Sequence, residues 1–376
     1  MQPLVALDLG STKVACAIGL PHEQRTGYEL LGSSLVPYPS ISETWLDDAL
    51  MVGRTIEQAI EATGASGDFH RTLVAFSHPA LMSEQASSSI HLGDEAVAVR
   101  ERDLYRLRMR AVDEVLSVDR EALLIERLGC SGNGFVDVRE PLGLPATRLK
   151  GTFHVLTMPM AARRAVVQAV EFAGLDVVQL TFSLQAMAAS LASTGPQGRC
   201  LLVDLGGLTT DLGYMIHGRL HSVQTVPWGG LTLAMEVAKA ARVTVEQAMA
   251  LTVEGMSSRR PEVRHALERE LPKVQRALQH LLKGQPMADT VLVGGRGALI
   301  DGIVEWIEGE TGLKATVVRS PRLQAMTDMA RQMGISVAIG LLESVTGAAS
   351  NGAPPRSPRF VDRLIGRTRV LLTEYF

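Results

Sequence analysis

Three cysteines in 376 residues, Cys16, Cys130 and Cys200, are too few and too scattered for a disulfide framework. An odd number with no C-x-x-C pair reads as reduced core thiols, as in a cytosolic protein. Charge of one sign is also missing. The 37 Lys and Arg against 40 Asp and Glu leave a net of −3, which argues against a nucleic-acid-binding surface over the whole protein. No stretch approaches the roughly 18 apolar residues of a membrane span. The N-terminus opens straight into an apolar strand and meets Asp8 early, which is unlike a signal peptide. Several catalytic signatures are absent as well. There is no G-x-x-x-x-G-K-[ST], which excludes a P-loop enzyme. A dinucleotide fingerprint at Gly295-Arg-Gly297 fails, because Ile300 stands where the third glycine belongs. The nine histidines form no H-E-x-x-H; His217 and His221 are four apart but fall in an expected hairpin, so no zinc site is assigned.

What is present is a repeated grammar. Apolar content of 46% suffices for two or more domains with sizeable cores. In Leu201-Leu-Val-Asp204-Leu-Gly206-Gly207-Leu-Thr209-Thr210-Asp211 an apolar strand ends on an aspartate, a glycine turn follows, and a second strand leads away. Such a turn lets backbone N–H groups approach a phosphate, the Thr hydroxyls add donors, and the two Asp can hold a hydrated Mg2+. Taken alone, the stretch reads equally well as a β-hairpin with Gly-Gly in its loop. Leu4-Val-Ala-Leu-Asp8-Leu-Gly10-Ser11-Thr12-Lys13 repeats the pattern near the N-terminus, and Val291-Leu-Val-Gly294-Gly295-Arg296-Gly297 supplies a third glycine turn.

The three turns in this order resemble the actin–Hsp70–sugar kinase superfamily. The resemblance implies an α/β, actin-like two-domain fold built from duplicated ribonuclease-H-like domains, with Mg-ATP between them. Asp8, Gly10, Ser11, Thr12 and Lys13 would form the first phosphate loop, and Gly206, Gly207, Thr209 and Thr210 the second. Gly294, Gly295, Arg296 and Gly297 would pack on the adenosine, while Asp8, Asp204 and Asp211 hold Mg2+ through water. Asp204 and Gln185 are the catalytic candidates. Gln185 either orients a hydrolytic water or is simply a polar residue in the first turn of a helix.

Between Ser77 and Gly151 the chain is similar to one branch of that superfamily, the bacterial cell-division FtsA family. Val118-Asp119-Arg120-Glu121 and Glu140-Pro141-Leu142-Gly143-Leu144 with Arg148-Leu149 stand where that family has P-D-R-E and D-P-I-G-M…R-L. The implied organisation is a first actin-like domain at 1–77 and 151–190, an FtsA-type 1C α+β insertion at 78–150, and a second actin-like domain at 191–345. The smaller subdomain of that second domain, about 231–290, is shorter than the family's. By the same resemblance, the 1C module makes head-to-tail contacts in filaments and recruits later division proteins, and the smaller subdomain docks the C-terminal peptide of the tubulin-like FtsZ. Arg100, Arg102, Arg106, Arg108 and Arg110 mark a helix face in the module that is either solvated or meets an acidic surface.

Local patterns add further expectations. Trp45 to Ala62 reads as a helix through Leu46, Leu50, Ile56 and Ile60, residues 129–134 as a turn-rich loop, and Leu299 to Gly309 as a helix. Thr244 and Gln247 form a capping box, and Pro272 should kink or divide a helix from Val263 to Leu282. Small residues in Ser183–Ser190 and Gly334–Val345 permit close packing between the domains, where the resemblance implies a hinge. Three positions depart from the family. Leu208 replaces a loop glycine, and Met249 and Thr252 stand where Glu and Lys contact ribose. Turnover is therefore expected to be slow at most, with ATP acting as a conformational ligand.

The end of the chain carries its own signal. Residues 346–358 are a Gly/Ser/Pro-rich linker, and 359–376 are amphipathic at helical spacing. Phe360, Leu364, Ile365, Leu371 and Leu372 mark an apolar side, with Arg363 and Arg367 placed to meet anionic lipid. The expected function is an ATP-binding, polymerising adaptor on the cytoplasmic face of the membrane, bound peripherally, with FtsZ, other division proteins and its own copies as partners. A pilus-assembly scaffold of the PilM type and a small-molecule kinase are the alternatives.

Overall fold

A computed structural model describes residues 2–23, 26–191, 198–253, 260–318, 320–323 and 326–346. The expected amphipathic segment, with Phe360, Arg363, Leu364, Ile365, Arg367, Leu371 and Leu372, and the linker beyond Thr346 lie outside the described residues.

The first domain begins with β1 (Leu4–Leu9), β2 (Lys13–Pro21) and β3 (Tyr28–Pro37), followed by α1 (Ala49–Glu61) and β4 (Arg71–Phe76). All six residues of β1 are buried, as a strand covered on both faces requires. The expected helix from Trp45 is split. Trp45–Asp47 is a single 3-10 turn, and Asp48 caps α1 by accepting from Met51 N–H. The buried face of α1 is Val52, Gly53, Thr55, Ile56 and Ala59, so Leu50 points outward, half-exposed.

An inserted module then supplies β5 (Met82–His91), β6 (Val97–Ala98), α2 (Glu101–Val115), β7 (Arg120–Gly132), β8 (Phe135–Val138), β9 (Pro145–Ala146) and β10 (Arg148–Pro159). Its sheet runs β5-β10-β7-β8, with β6 and β9 as a separate short pair. Leu104, Leu107, Ala111 and Val112 of α2 close one face of it over Ile90, Phe153 and Val155. Arg102 and Arg106 stay outside, 72% and 58% exposed, flanking Asp103. Two expectations change here. Gly129 to Gly132 belong to β7 rather than to a loop, and a Cβ on Gly129 would strike the Asp137 carboxylate across the pairing. The strand expected to return to the first domain at Gly151 is instead part of the module sheet, paired with β5 and β7. It joins two cores, because Phe153 and Val155 pack in the module and Leu156 and Met158 in the first domain.

The first domain resumes with α3 (Met160–Phe172), β11 (Asp176–Phe182) and α4 (Ser183–Ser190). The second domain comprises β12 (Arg199–Leu205), β13 (Thr210–Ile216), β14 (Arg219–Val226), α5 (Gly230–Ala241), α6 (Val245–Val253), α7 (Pro261–Leu282), β15 (Thr290–Gly294), α8 (Ile303–Thr311) and β16 (Ala315–Val317); the last helix, α9 (Met329–Thr346), expected in the second domain, instead packs Ile335, Ala338, Ile339, Leu341 and Leu342 in the cluster that holds β1, β2 and β4. The two five-stranded sheets share one topology, β3-β2-β1-β4-β11 and β14-β13-β12-β15-β16. In each, an antiparallel three-strand meander is extended by two parallel strands. The duplication read from the paired turns is thus a duplication of whole sheets.

Thr244 and Gln247 form the expected capping box, with Gln247 N–H donating to Thr244 Oγ1 at 3.2 Å and Thr244 N–H to Gln247 Oε1 at 3.0 Å. Pro272 does not divide α7, which is continuous for 22 residues. Its neighbours Leu271 and Val274 are anchored in the second-domain core, and that burial outweighs the one backbone bond proline removes. The helix expected from Leu299 is interrupted: Arg296–Leu299 is a 3-10 turn, and α8 starts only after Gly302 at φ 79°.

Two junctions hold the halves together. At the hinge α9 packs on α4, and a Cβ on Gly340 would collide with the Ala186 carbonyl oxygen. At the far side the module meets the edge of β14. His154 Nδ1–H donates to Leu220 O at 3.1 Å, and its Nε2 accepts from Ser83 Oγ at 2.8 Å. Ser83 Oγ in turn accepts from Val223 N–H at 3.2 Å, and Arg219 pairs with Glu126 at 2.6 Å.

Candidate functional site

The carboxyl ends of β1, β4, β12 and β15 converge on one cleft between the domains. Open α/β sheets place their ligand crevices at such strand ends. Two turns face each other there and are closed by the same bond: Gly10 N–H donates to Lys13 O at 3.1 Å and Gly206 N–H to Thr209 O at 2.9 Å. They meet directly, since Leu208 N–H donates to Ser11 Oγ at 3.1 Å. The third turn follows β15. Gly295 adopts φ 75°, and a Cβ there would collide with the Asp204 carboxylate and Leu205 O. Only glycine lets this turn approach the strand end so closely.

The cleft encloses about 690 Å3, within the range of small-molecule sites. Asp8, Gly10, Ser11, Thr12, Lys13, Asp204, Gly206, Gly207, Thr209, Asp211, Gly295, Arg296 and Gly297 all line it. Three sequence candidates do not. Thr210 is buried behind the wall, its hydroxyl donating to Trp228 O at 2.9 Å. Gly294 ends β15 against Met187, whose thioether a Cβ would strike. Gln185 sits on α4 with Oε1 accepting from Thr181 Oγ1 at 2.7 Å, so it is held toward the end of β11.

Electrostatics single out the carboxylates. Burial, reinforced by Asp211 and Asp8 and opposed by Lys13, pushes Asp204 up to about 8. Burial also raises Asp211 to about 6, against the Ser77 hydroxyl and the Thr225 hydroxyl, which donates to it at 2.6 Å. The buried Ser77 hydroxyl lies near enough to Asp211 to hold it down. Lys13 Nζ is paired with Asp8 and donates to Gly334 O at 3.1 Å. Asp8, Glu43, Asp47, Asp204 and Asp211 against Lys13 and Arg296 make this cleft a place where added positive charge is favourable. Among the described residues no acidic, His or Cys trio is close enough to ligate an ion directly. Carboxylate oxygens, which Asp8, Asp204 and Asp211 bring to the cleft, are the donor type a hard divalent cation takes.

The opposite wall is mostly apolar. Met249, Ala250 and Val253 of α6 face it with Leu299 and Ile300, and the Thr252 hydroxyl turns back to Met249 O at 2.8 Å. The first domain contributes residues that sequence reasoning did not single out: Glu43 to Asp47, Ser77 to Pro79, and Pro159 with Ala161, Ala162 and Ala165. Ser77 carried one usable signal, its place directly after a buried parallel strand. Nothing local marks the alanines of α3.

Fold and cleft together define the class: an actin-like two-domain protein. Solved structures agree in fold. A PilM–PilN type IV pilus biogenesis complex superposes with TM-score 0.69 at 15% identity, covering 90% of this chain and 97% of that one. MreB5 of Spiroplasma citri bound to ADP superposes with TM-score 0.52 at 12% identity, covering 94% and 99%. No family model matches the chain. Two of the curated relatives align along more than nine-tenths of this chain. The chain is 22% identical over 407 residues to the cell division protein FtsA of Escherichia coli strain K12, covering 93% of this chain and 91% of that protein. It is 23% identical over 399 residues to FtsA of Pseudomonas aeruginosa, covering 94% and 95%. FtsA of Rhizobium meliloti is 26% identical over 260 residues, covering 66% and 58%.

Proposed function

We propose that the chain is an ATP-binding, actin-like cell-division protein that self-associates and tethers the FtsZ ring to the cytoplasmic face of the membrane. The observation that carries this reading is the near full-length alignment with proteins named FtsA, inserted module included. Mg-ATP would lie in the cleft with its phosphates between Gly10–Lys13 and Gly206–Thr209. Its nucleoside would rest against α6 and the turn at Gly295–Gly297. Lys13 would exchange part of its pairing with Asp8 for the phosphates, while Asp8, Asp204 and Asp211 hold the water shell of Mg2+. The cation would supply charge neutralisation between the phosphates, which also favours the ionised form of Asp204. Attachment is assigned to residues 359–376. Among the described residues no helix is long and apolar enough to cross a membrane. A lone interfacial helix binds reversibly, and a filament multiplies it by avidity.

A pilus-assembly scaffold is the second reading, favoured by the superposition on the PilM–PilN complex across almost the whole of both chains. Co-flotation with anionic vesicles in Mg-ATP, with and without an FtsZ C-terminal peptide, separates the two. The division reading expects flotation of the full chain, its loss on deleting residues 357–376 with ATP binding retained, and capture of the peptide. Undiminished flotation after the deletion overturns the membrane assignment, and failure to capture the peptide favours the scaffold.

A further inference from the structure

The inserted module is fastened at two places, and the two places belong to different domains. Its root is tied to the first domain beside the cleft. Arg120, at the start of β7, donates through Nη2 to Ala80 O at 2.7 Å and to Thr157 O at 2.8 Å. Its Nε donates to Thr157 Oγ1 at 2.9 Å. On either side of it, Met160 N–H donates to Asp119 O at 2.9 Å, and Arg163 of α3 pairs with Glu121 at 3.0 Å. The root is thereby bonded to the segments around Pro79 and Ala161, which line the cleft.

The other fastening is to the second domain. β5 runs in step along the edge of β14, with Val223 N–H donating to Ser83 Oγ and Gln85 Nε2 donating to His221 O at 3.4 Å. Farther along, His154 meets Leu220 O, Glu126 meets Arg219, and Arg139 Nη2 donates to Ile216 O at 3.4 Å. Each of these bonds uses a module side chain, and among the described residues no backbone ladder joins β14 to the module. A ladder would merge the two sheets, whereas single side-chain bonds are modest and can break one after another. The seam also reaches the cleft, since two residues beyond Val223 the Thr225 hydroxyl donates to Asp211.

Both domains supply walls of the cleft, so a ligand enclosed between them leaves when they part. Parting moves β14 away from the first domain. The module is rooted in that domain, so it must release β14 or bend at its root. We infer that the inserted module is a strap on the nucleotide cleft: its seam with β14 has to yield before the domains part and nucleotide leaves. This rests on the ATP-binding reading and deepens it, because ligand release is then set by a surface outside the site. Ser83 and Arg219 do not line the cleft; they are positioning residues. Coupling between two sites is reciprocal, so nucleotide in the cleft protects the seam in turn.

The test is release of a fluorescent ATP analogue from the full chain in Mg2+, chased with excess ATP in stopped flow. Wild type is compared with Ser83→Ala, Arg219→Ala, Arg219→Lys and Arg102→Ala. Ser83→Ala and Arg219→Ala are expected to release the analogue at least about threefold faster, the scale of one lost bond. Arg219→Lys, which keeps a cation facing Glu126, restores most of the wild-type rate. Arg102→Ala, on the exposed face of α2, leaves the rate unchanged. Deuterium exchange across residues 219–226 should slow when Mg-ATP is bound. Unchanged release in both seam variants, an equal rise in Arg102→Ala, or exchange indifferent to nucleotide overturns the proposal alone. Wild type that binds no nucleotide removes the underlying reading with it.

Discussion

The two junctions between the halves of this protein solve the same problem by opposite means. At the hinge, α4 and α9 come together through what is missing: Gly340 has no side chain, so the helix backbone can rest on Ala186 O. At the module, contact depends on what is present. His154, Ser83 and the Arg219–Glu126 pair satisfy backbone and charged groups along the edge of β14. The first junction is close packing and tolerates no added volume. The second is a polar seam, where removing the His154 ring leaves Leu220 O without its donor. An edge strand needs such cover, since its unpaired backbone groups otherwise invite other strands.

The largest effect should come from volume at the hinge. Gly340→Val places atoms inside the Ala186 carbonyl and is expected to lower stability by about 3 kcal/mol or more, read from urea unfolding. A loss below about 1 kcal/mol would mean the helices separate easily, and the contrast with the seam would fail. At the seam, His154→Leu keeps the bulk but removes both ring nitrogens, leaving Leu220 O without its donor. The expected cost is about 1–3 kcal/mol, and a double-mutant cycle with Ser83→Ala should show coupling because both belong to one chain of bonds.

Smaller still are the pH effects, because solvent and counter-ions reach the cleft, and their signs differ between the two regions. Asp204 and Asp211 are raised from the ordinary 3.8 to about 8 and about 6, so the folded protein holds protons the unfolded chain has released. Their contribution is full below 3.8 and is lost as pH rises toward 8, so the ligand-free protein should melt a few degrees lower at about pH 8 than at about pH 5. Mg2+ should reverse the trend, and Asp204→Asn should flatten it. His154 works the other way. Burial lowers it to about 4, so its contribution is present above 6.5 and is lost as pH falls toward 4. Thermal midpoints across this range, in wild type and in each variant, check both signs.

The close packing of α4 and α9 was legible in the sequence and the seam was not, for a physical reason. Small residues at helical spacing on two separate segments announce close approach wherever the helices meet. His154 has no local pattern, because its meaning comes from Leu220, which reaches it only after two domains fold. The cleft divides in the same way. Asp8, Asp204, Asp211 and the glycine turns are strand-end residues whose type and spacing announce the chemistry. The first-domain wall of Pro159, Ala161, Ala162 and Ala165 is written in residues that could pack anywhere. Gln185 is the converse case, a suggestive residue type in the expected place that is bonded to Thr181 and does not line the cavity. Regular elements failed locally where one residue's backbone prevailed over periodicity, as at Gly302, whose φ of 79° ends the helix expected from Leu299.

The central claim is that paired aspartates and glycine turns make this cleft a Mg-ATP site. Titration calorimetry of ATP into the full chain, with Mg2+ and with chelator, in wild type and Asp204→Asn, tests it most directly. The account predicts saturable binding in wild type that weakens at least about tenfold without Mg2+, and the loss of that Mg2+ dependence in the variant. No binding in wild type, or the same Mg2+ dependence with Asp204 replaced, would contradict it.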